Sequence, residues 1–99
     1  MVIIAFMSYP PESAKEMGKR FVEQPALPAY ITMKGPYFSS AVREGIEAAA
    51  IYEVDQSKFS EAYQFIVNRY IKYWGVPGFT HSVRPWYEAK EALKALGMG

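Results

Sequence analysis

The chain has 99 residues, of which 51% are apolar and 16% aromatic, so it has the size of a single domain, residues 1–99, and can bury a core. It contains no cysteine and one histidine, which excludes disulfides, thiolate metal sites and thiol nucleophiles and leaves no metal site to expect. Eleven basic and ten acidic residues give a formal net charge of +1, so we expect neither nucleic acid nor a membrane as a partner.

The first predicted element is a strand at residues 2–9. Its two alternating faces are both apolar, a pattern typical of a central strand that is covered on both sides. The opening stretch is too short for a signal peptide, and no segment approaches the ~20 consecutive apolar residues that span a bilayer. We therefore expect a cytoplasmic protein.

An amphipathic helix follows over residues 10–24, with Pro11 suited to its first position. The stretch "AYITMK", residues 29–34, is the second predicted strand. Residues 35–45 are open between an extended hairpin and a flap, because Gly35 and Pro36 interrupt a strand ladder while "YFSSAV" has enough β propensity to resume it. Residues 46–54 alternate as a third strand, whose small alanines allow a helix to pack closely.

The second helix begins near Asp55 or Ser57, either of which can cap free backbone amides, and it stops at Gly75. The stretch "FTHSVR", residues 79–84, is the fourth strand. Pro85 is then predicted to open a last, short helix.

The element order strand, helix, strand, strand, helix, strand predicts an α+β fold of the ferredoxin-like βαββαβ type, with an antiparallel sheet and two helices on one side. The other side of such a sheet is bare, although the first strand is apolar on both faces. One short extra helix is too little to cover it, so we expect the sheet of a second subunit to do so. The predicted partner is therefore the protein itself, as a homodimer.

The length, the element order and the "YWGVPGF" step from the second helix into the fourth strand resemble the small dimeric α/β-barrel superfamily. That superfamily includes antibiotic-biosynthesis-type monooxygenases, muconolactone-isomerase-like proteins, haem-degrading enzymes and stress-responsive proteins. The resemblance implies a dimeric α/β barrel with a pocket between sheet and helices or inside the barrel, and it implies no particular reaction.

His81 is the natural candidate for chemistry, because histidine changes charge near neutral pH. Strand parity places it with Phe79 and Val83, under the helices, where a core histidine bonded to a carbonyl or tyrosine is expected. A catalytic His81 stays open as the alternative, since a bulge near Pro85 would reverse the faces of the strand. Some members of the superfamily bind haem iron through a histidine, but no motif puts His81 at that position. We predict no cofactor, with haem kept open.

The opposite face of the fourth strand is polar and predicts a ligand site inside the barrel. The candidate ligand-binding residues are Tyr30, Lys34, Glu53, Ser82 and Arg84. Lys34 and Arg84 would bind a carboxylate or another anion, with Tyr30 as a hydrogen-bond donor. The alternative is that Glu47 and Glu53 neutralise both cations in salt bridges.

The sequence is compatible with three functions. The first is a small homodimeric protein that binds a small organic molecule. The second is a monooxygenase or isomerase that needs no bound metal, with His81 or a tyrosine near the reacting atom. The third is a dimerisation module without a ligand.

Overall fold

The computed structural model describes residues 1–43 and 45–99, and Glu44 lies outside the described residues. The described part of the chain forms an α+β fold with a four-stranded antiparallel sheet and three α-helices. In chain order the elements are β1 (Val2–Tyr9), α1 (Ala14–Val22), β2 (Ile31–Ala41), β3 (Gly45–Val54), α2 (Phe59–Ile71), β4 (Thr80–Trp86) and α3 (Ala89–Ala95). Short 3-10 turns at Pro11–Ser13 and Gln56–Lys58 lead into α1 and α2.

The strand order across the sheet is β2-β3-β1-β4, so β1 and β3 are central and β2 and β4 are edges. The predicted central position of β1 is confirmed, and its bounds agree with the predicted residues 2–9. Every neighbouring pair of strands is antiparallel.

The core lies between one face of the sheet and the helices α1 and α2. The largest fully buried side chains are Ile3, Tyr52 and Ile66, from β1, β3 and α2. Ala48 and Ala50 are also buried beneath this layer, and their small size lets the helices approach the sheet. Two polar groups in this layer satisfy each other, because the Tyr52 and Tyr70 hydroxyls share a hydrogen bond of 2.9 Å.

The described residues of the stretch 35–45 belong to two paired strands, as a hairpin requires, which decides between the two alternatives that the sequence leaves open. β2 continues to Ala41 and pairs with β3 down to its start at Gly45. The ladder absorbs Gly35 and Pro36 through a register shift between Lys34 and Tyr37. Gly35 has φ +93°, and a Cβ there would lie 2.9 Å from the Tyr37 nitrogen, so this irregularity requires glycine.

The prediction that Pro85 opens the last helix is wrong. Pro85 lies within β4, opposite Ile3 of β1. Because β4 is an edge strand, it tolerates a residue that has no backbone N–H to donate. The helix α3 begins at Ala89 instead, behind a reciprocal capping box between Glu88 and Glu91.

The second face of the sheet, here called the open face, is not covered by α1 or α2. The molecule is only 19 Å thick along its shortest axis, which is room for one sheet layer and one helix layer. Its radius of gyration is 15.1 Å, against about 13 Å for a compact chain of this length. Helix α3 has no buried residue, and its Glu91 carboxylate meets the N-terminal amino group at 2.6 Å.

Candidate functional site on the open face

A cleft of about 560 Å³ lies on the open face, at the end of the sheet where β1 ends and β3 and β4 begin. Its floor consists of two rows of residues that run across all four strands. Each row is defined by the strand register, in which one residue of every strand stands beside its neighbour.

The first row is polar. Its members are hydroxyl residues and one carboxylate, namely Ser39, Glu47, Ser8 and Thr80. The Ser8 and Thr80 hydroxyl oxygens are 2.7 Å apart and share a hydrogen bond. Glu47 is exposed, so its carboxylate can accept hydrogen bonds from a ligand that enters the cleft.

The second row alternates large and small side chains. Its members are Tyr37, Ala49, Phe6 and Ser82. Tyr37 and Phe6 stand on either side of Ala49 and are 61% and 45% exposed. Their backbones are two strand spacings apart, about 10 Å, and the methyl group of Ala49 leaves the space between them open. This part of the cleft therefore exists because a small residue separates two aromatic ones.

Of the sequence-predicted binding residues, Ser82 lies in the cleft, and Lys34, Glu53 and Arg84 lie outside its lining. The Lys34 ammonium pairs with Glu53 at 2.5 Å, and this carboxylate raises the pKa of Lys34. The Arg84 guanidinium lies 4.7 Å from the centre of the Trp86 ring. Lys34 and Arg84 share the open face but occupy its two edge strands, roughly 14 Å apart across three strand spacings. The structure thus brings Lys34 to Glu53 and does not bring it to Arg84.

Tyr30 lies just before β2 and stands apart from the other predicted binding residues. Its backbone carbonyl accepts a hydrogen bond of 3.0 Å from the Asp55 nitrogen. The Lys58 ammonium sits 5.6 Å from the centre of its ring. Tyr30 therefore belongs to the junction between β3 and α2, and not to the cleft.

His81 points to the helix side of β4. It stands beside Met7 of β1, a buried core residue, and its ring stacks on Phe79 and Tyr70 with centroid distances of 5.2 and 6.0 Å. The bulge that would have reversed the strand faces is not found, since β4 pairs with β1 in continuous register. His81 therefore presents only its backbone to the cleft floor.

The protonation state of His81 follows from its partners. Trp74 donates its indole N–H to Nε2 at 3.0 Å, so the proton of the neutral ring sits on Nδ1, which is buried without a hydrogen-bond partner. Burial lowers the pKa of His81 below its usual value, because a charged ring here would lose water and gain no carboxylate. The imidazole is thus neutral at neutral pH.

Among the described residues, no group of three or more metal-ligating side chains comes together. Among the same residues, no helix combines the length and the apolarity needed to cross a bilayer.

The chain matches no protein-family model and no curated protein at a significant level of sequence similarity.

Sequence reasoning missed most of the cleft residues, above all Phe6 and Tyr37, and it assigned Glu47 to a salt bridge with Lys34 or Arg84 and not to ligand binding. The alternation was visible in β1, β3 and β4 and in residues 31–34 of β2, and it assigned those side chains to the correct face. The missing information was the register between strands, which decides which side chains stand in one row. The signal that was available is the run "EAAA" at residues 47–50, in which a carboxylate precedes a series of alanines in a central strand.

Proposed function

We propose that this protein is a homodimer of the ferredoxin-like, dimeric α/β-barrel type, and that it binds a small organic molecule in the cleft of the open face. The observation that carries the proposal is the cleft itself. Its volume of about 560 Å³ lies within the range of small-molecule sites. It also combines two aromatic side chains with a row of hydroxyl groups, which is the mixed lining that such sites use.

The element order and the strand order β2-β3-β1-β4 support the fold assignment. The surface area supports the dimer. The accessible surface is 6544 Å², against about 5,700 Å² for a compact monomer of this mass. The excess of roughly 800 Å² equals the area that one partner buries in an interface of standard size. Apolar side chains of the two central strands on the open face, among them Ile4, Phe6 and Ile51, supply a surface that a second sheet can cover.

The dimer is tested by sedimentation of the wild type at micromolar concentration and of Phe6→Glu. Phe6 lies in the central strand β1 and borders the cleft on the open face, so a carboxylate there would be buried unpaired between the two sheets, and we expect a monomer. Val22→Glu is the matched control, because Val22 is 78% exposed on α1, and this variant should remain a dimer. A wild-type monomer at this concentration contradicts the proposed assembly.

Ligand binding is tested with the neutral, apolar dye Nile red. We expect the wild type to bind it saturably, with enhanced emission, and Ala49→Trp to lose this binding because the indole fills the space between Phe6 and Tyr37. Ala26→Trp, in the exposed connector before β2, is the control and should bind as the wild type does. Equal binding by both variants would place the dye elsewhere and remove the support for this cleft.

A further inference from the structure

We propose that the cleft selects organic cations, namely a protonated primary or secondary amine on an apolar body about the size of one aromatic ring. This inference rests on the proposed function and names its ligand class. It departs from the sequence-based expectation of an anionic ligand.

The first argument is the charge of the lining. Among the described residues that line the cleft, Glu47 is the one side chain that carries a charge at neutral pH. His81 contributes no charge, because it faces the helices and burial lowers its pKa. The remaining polar groups of the lining are hydroxyls, which serve either as donors or as acceptors. A carboxylate flanked by hydroxyls accepts hydrogen bonds from an ammonium group and repels a carboxylate ligand.

Second, the cations Lys34 and Arg84 of the open face are held away from Glu47. Lys34 and Arg84 stand two rows away from Glu47, about 14 Å along the strands, and that distance exceeds the Debye length of about 8 Å at physiological ionic strength. Each is also held by a partner one row further from the cleft. Lys34 pairs with Glu53, and Arg84 lies over Trp86. Neither cation therefore neutralises Glu47.

The third argument is the shape beside the carboxylate. The row of Glu47 and the row of Ala49 are about 7 Å apart along the strands. A ligand with its ammonium group at Glu47 thus places a ring, one or two carbons away, over Ala49. There the ring is flanked by Phe6 and Tyr37, which stack on an apolar ring and also attract a cation through their π faces.

The experiment compares three probes of one shape and different charge: 2-phenylethylamine, 2-phenylethanol and 3-phenylpropanoate. Each is titrated into the full-length, 15N-labelled dimer at neutral pH, and amide shifts of the cleft strands report the dissociation constant. We expect the amine to bind about tenfold more tightly than the alcohol, because its hydrogen bonds to Glu47 are charge-assisted, and the carboxylate to bind most weakly.

Glu47→Gln keeps the size of the side chain and removes its charge, so the preference of the amine over the alcohol should fall to about one. Glu61→Gln is the matched control, since Glu61 is an exposed carboxylate on α2, and it should leave the preference intact. The spectrum of each variant verifies that it is folded.

The outcomes separate the two proposals. If the alcohol or the carboxylate binds as tightly as the amine, or if Glu47→Gln keeps the preference, the inference of a cation site is wrong while a ligand cleft remains. If none of the three probes shifts the cleft amides of the wild type, the inference is wrong, and if Nile red also fails to bind, the ligand-binding part of the proposed function is wrong as well.

Discussion

Replacing His81 by phenylalanine should remove a defined part of the pH dependence of stability. In the wild type, Trp74 donates to Nε2 of the neutral ring, and a protonated ring has no lone pair left to accept this hydrogen bond. Protonation would also place a charge in a partly buried position, where the ring loses water and gains no carboxylate. Both effects oppose the charged form in the folded state.

The sign of the effect follows from proton linkage. The unfolded chain titrates its histidine near 6.5, and burial lowers the pKa of His81 in the folded protein. The unfolded state therefore binds more protons below about pH 6.5, and the free energy of unfolding decreases as the pH falls from there to the lowered pKa. One proton limits the slope to about 1.4 kcal/mol per pH unit, and the partial exposure of the ring makes the actual slope a fraction of this limit. Above about pH 6.5 the contribution is fully present.

The assay is urea unfolding followed by circular dichroism, at several pH values between about 7.5 and 5.5 and at constant protein concentration. His81→Phe keeps the stacking on Phe79 and Tyr70 and loses one acceptor next to Trp74, which is 60% exposed. At neutral pH it should change the unfolding free energy by at most about 1 kcal/mol. As the pH falls, wild type should lose stability relative to the variant. If the free energy of unfolding depends on pH with the same slope in both proteins, the assigned tautomer of His81 and its lowered pKa are refuted.

Three further predictions concern the core and the backbone. Tyr52→Phe and Tyr70→Phe should each lower the free energy of unfolding by about 1–3 kcal/mol, because each leaves one buried hydroxyl without its partner. In chemical unfolding, the double variant should lose less than the sum of the two single losses. Additive losses would contradict the 2.9 Å hydrogen bond between the two hydroxyls. Gly78→Ala should lower the melting temperature, because Gly78 has φ +75° and a Cβ there would lie 2.5 Å from Cδ of Pro10. Gly18→Ala, in a helix with no neighbouring atom within 4 Å, should raise stability by about 0.5–1 kcal/mol, and a loss there would show that α1 is less open than described.

The sheet was largely predictable because hydrophobic alternation is a local property of each strand. It identified β1 with its bounds and the opposite faces of β4, including the direction of His81. The hairpin was not decided by the same pattern. Gly35 and Pro36 read as a break, and only the pairing of β2 with β3 shows that one register shift accommodates them.

The candidate site was less predictable, because it depends on how strands align with one another. Parity places Lys34 and Arg84 on one face, and this is where the structure has them, but the strand order separates them to opposite edges. Conversely, Glu47 and Tyr37 come together through the pairing of β2 with β3 that resumes after the register shift. The alternation of a strand shows which face of the sheet a side chain lies on, but it does not show which side chains of neighbouring strands stand beside it.

The alanine run of β3 has a consequence for how this protein can change. Ala48 and Ala50 determine how closely the helices approach the sheet, while Ala49 determines the depth of the cleft on the other side. Because neighbouring residues of a strand face opposite sides, the size of the site and the packing of the core are controlled by separate positions. Substitution of Ala49 by serine, valine or leucine would therefore reduce the volume of the cleft in steps and leave the core intact. Ala49 is thus a single position of β3 at which substitutions, natural or engineered, can change the ligand preference without disrupting the fold.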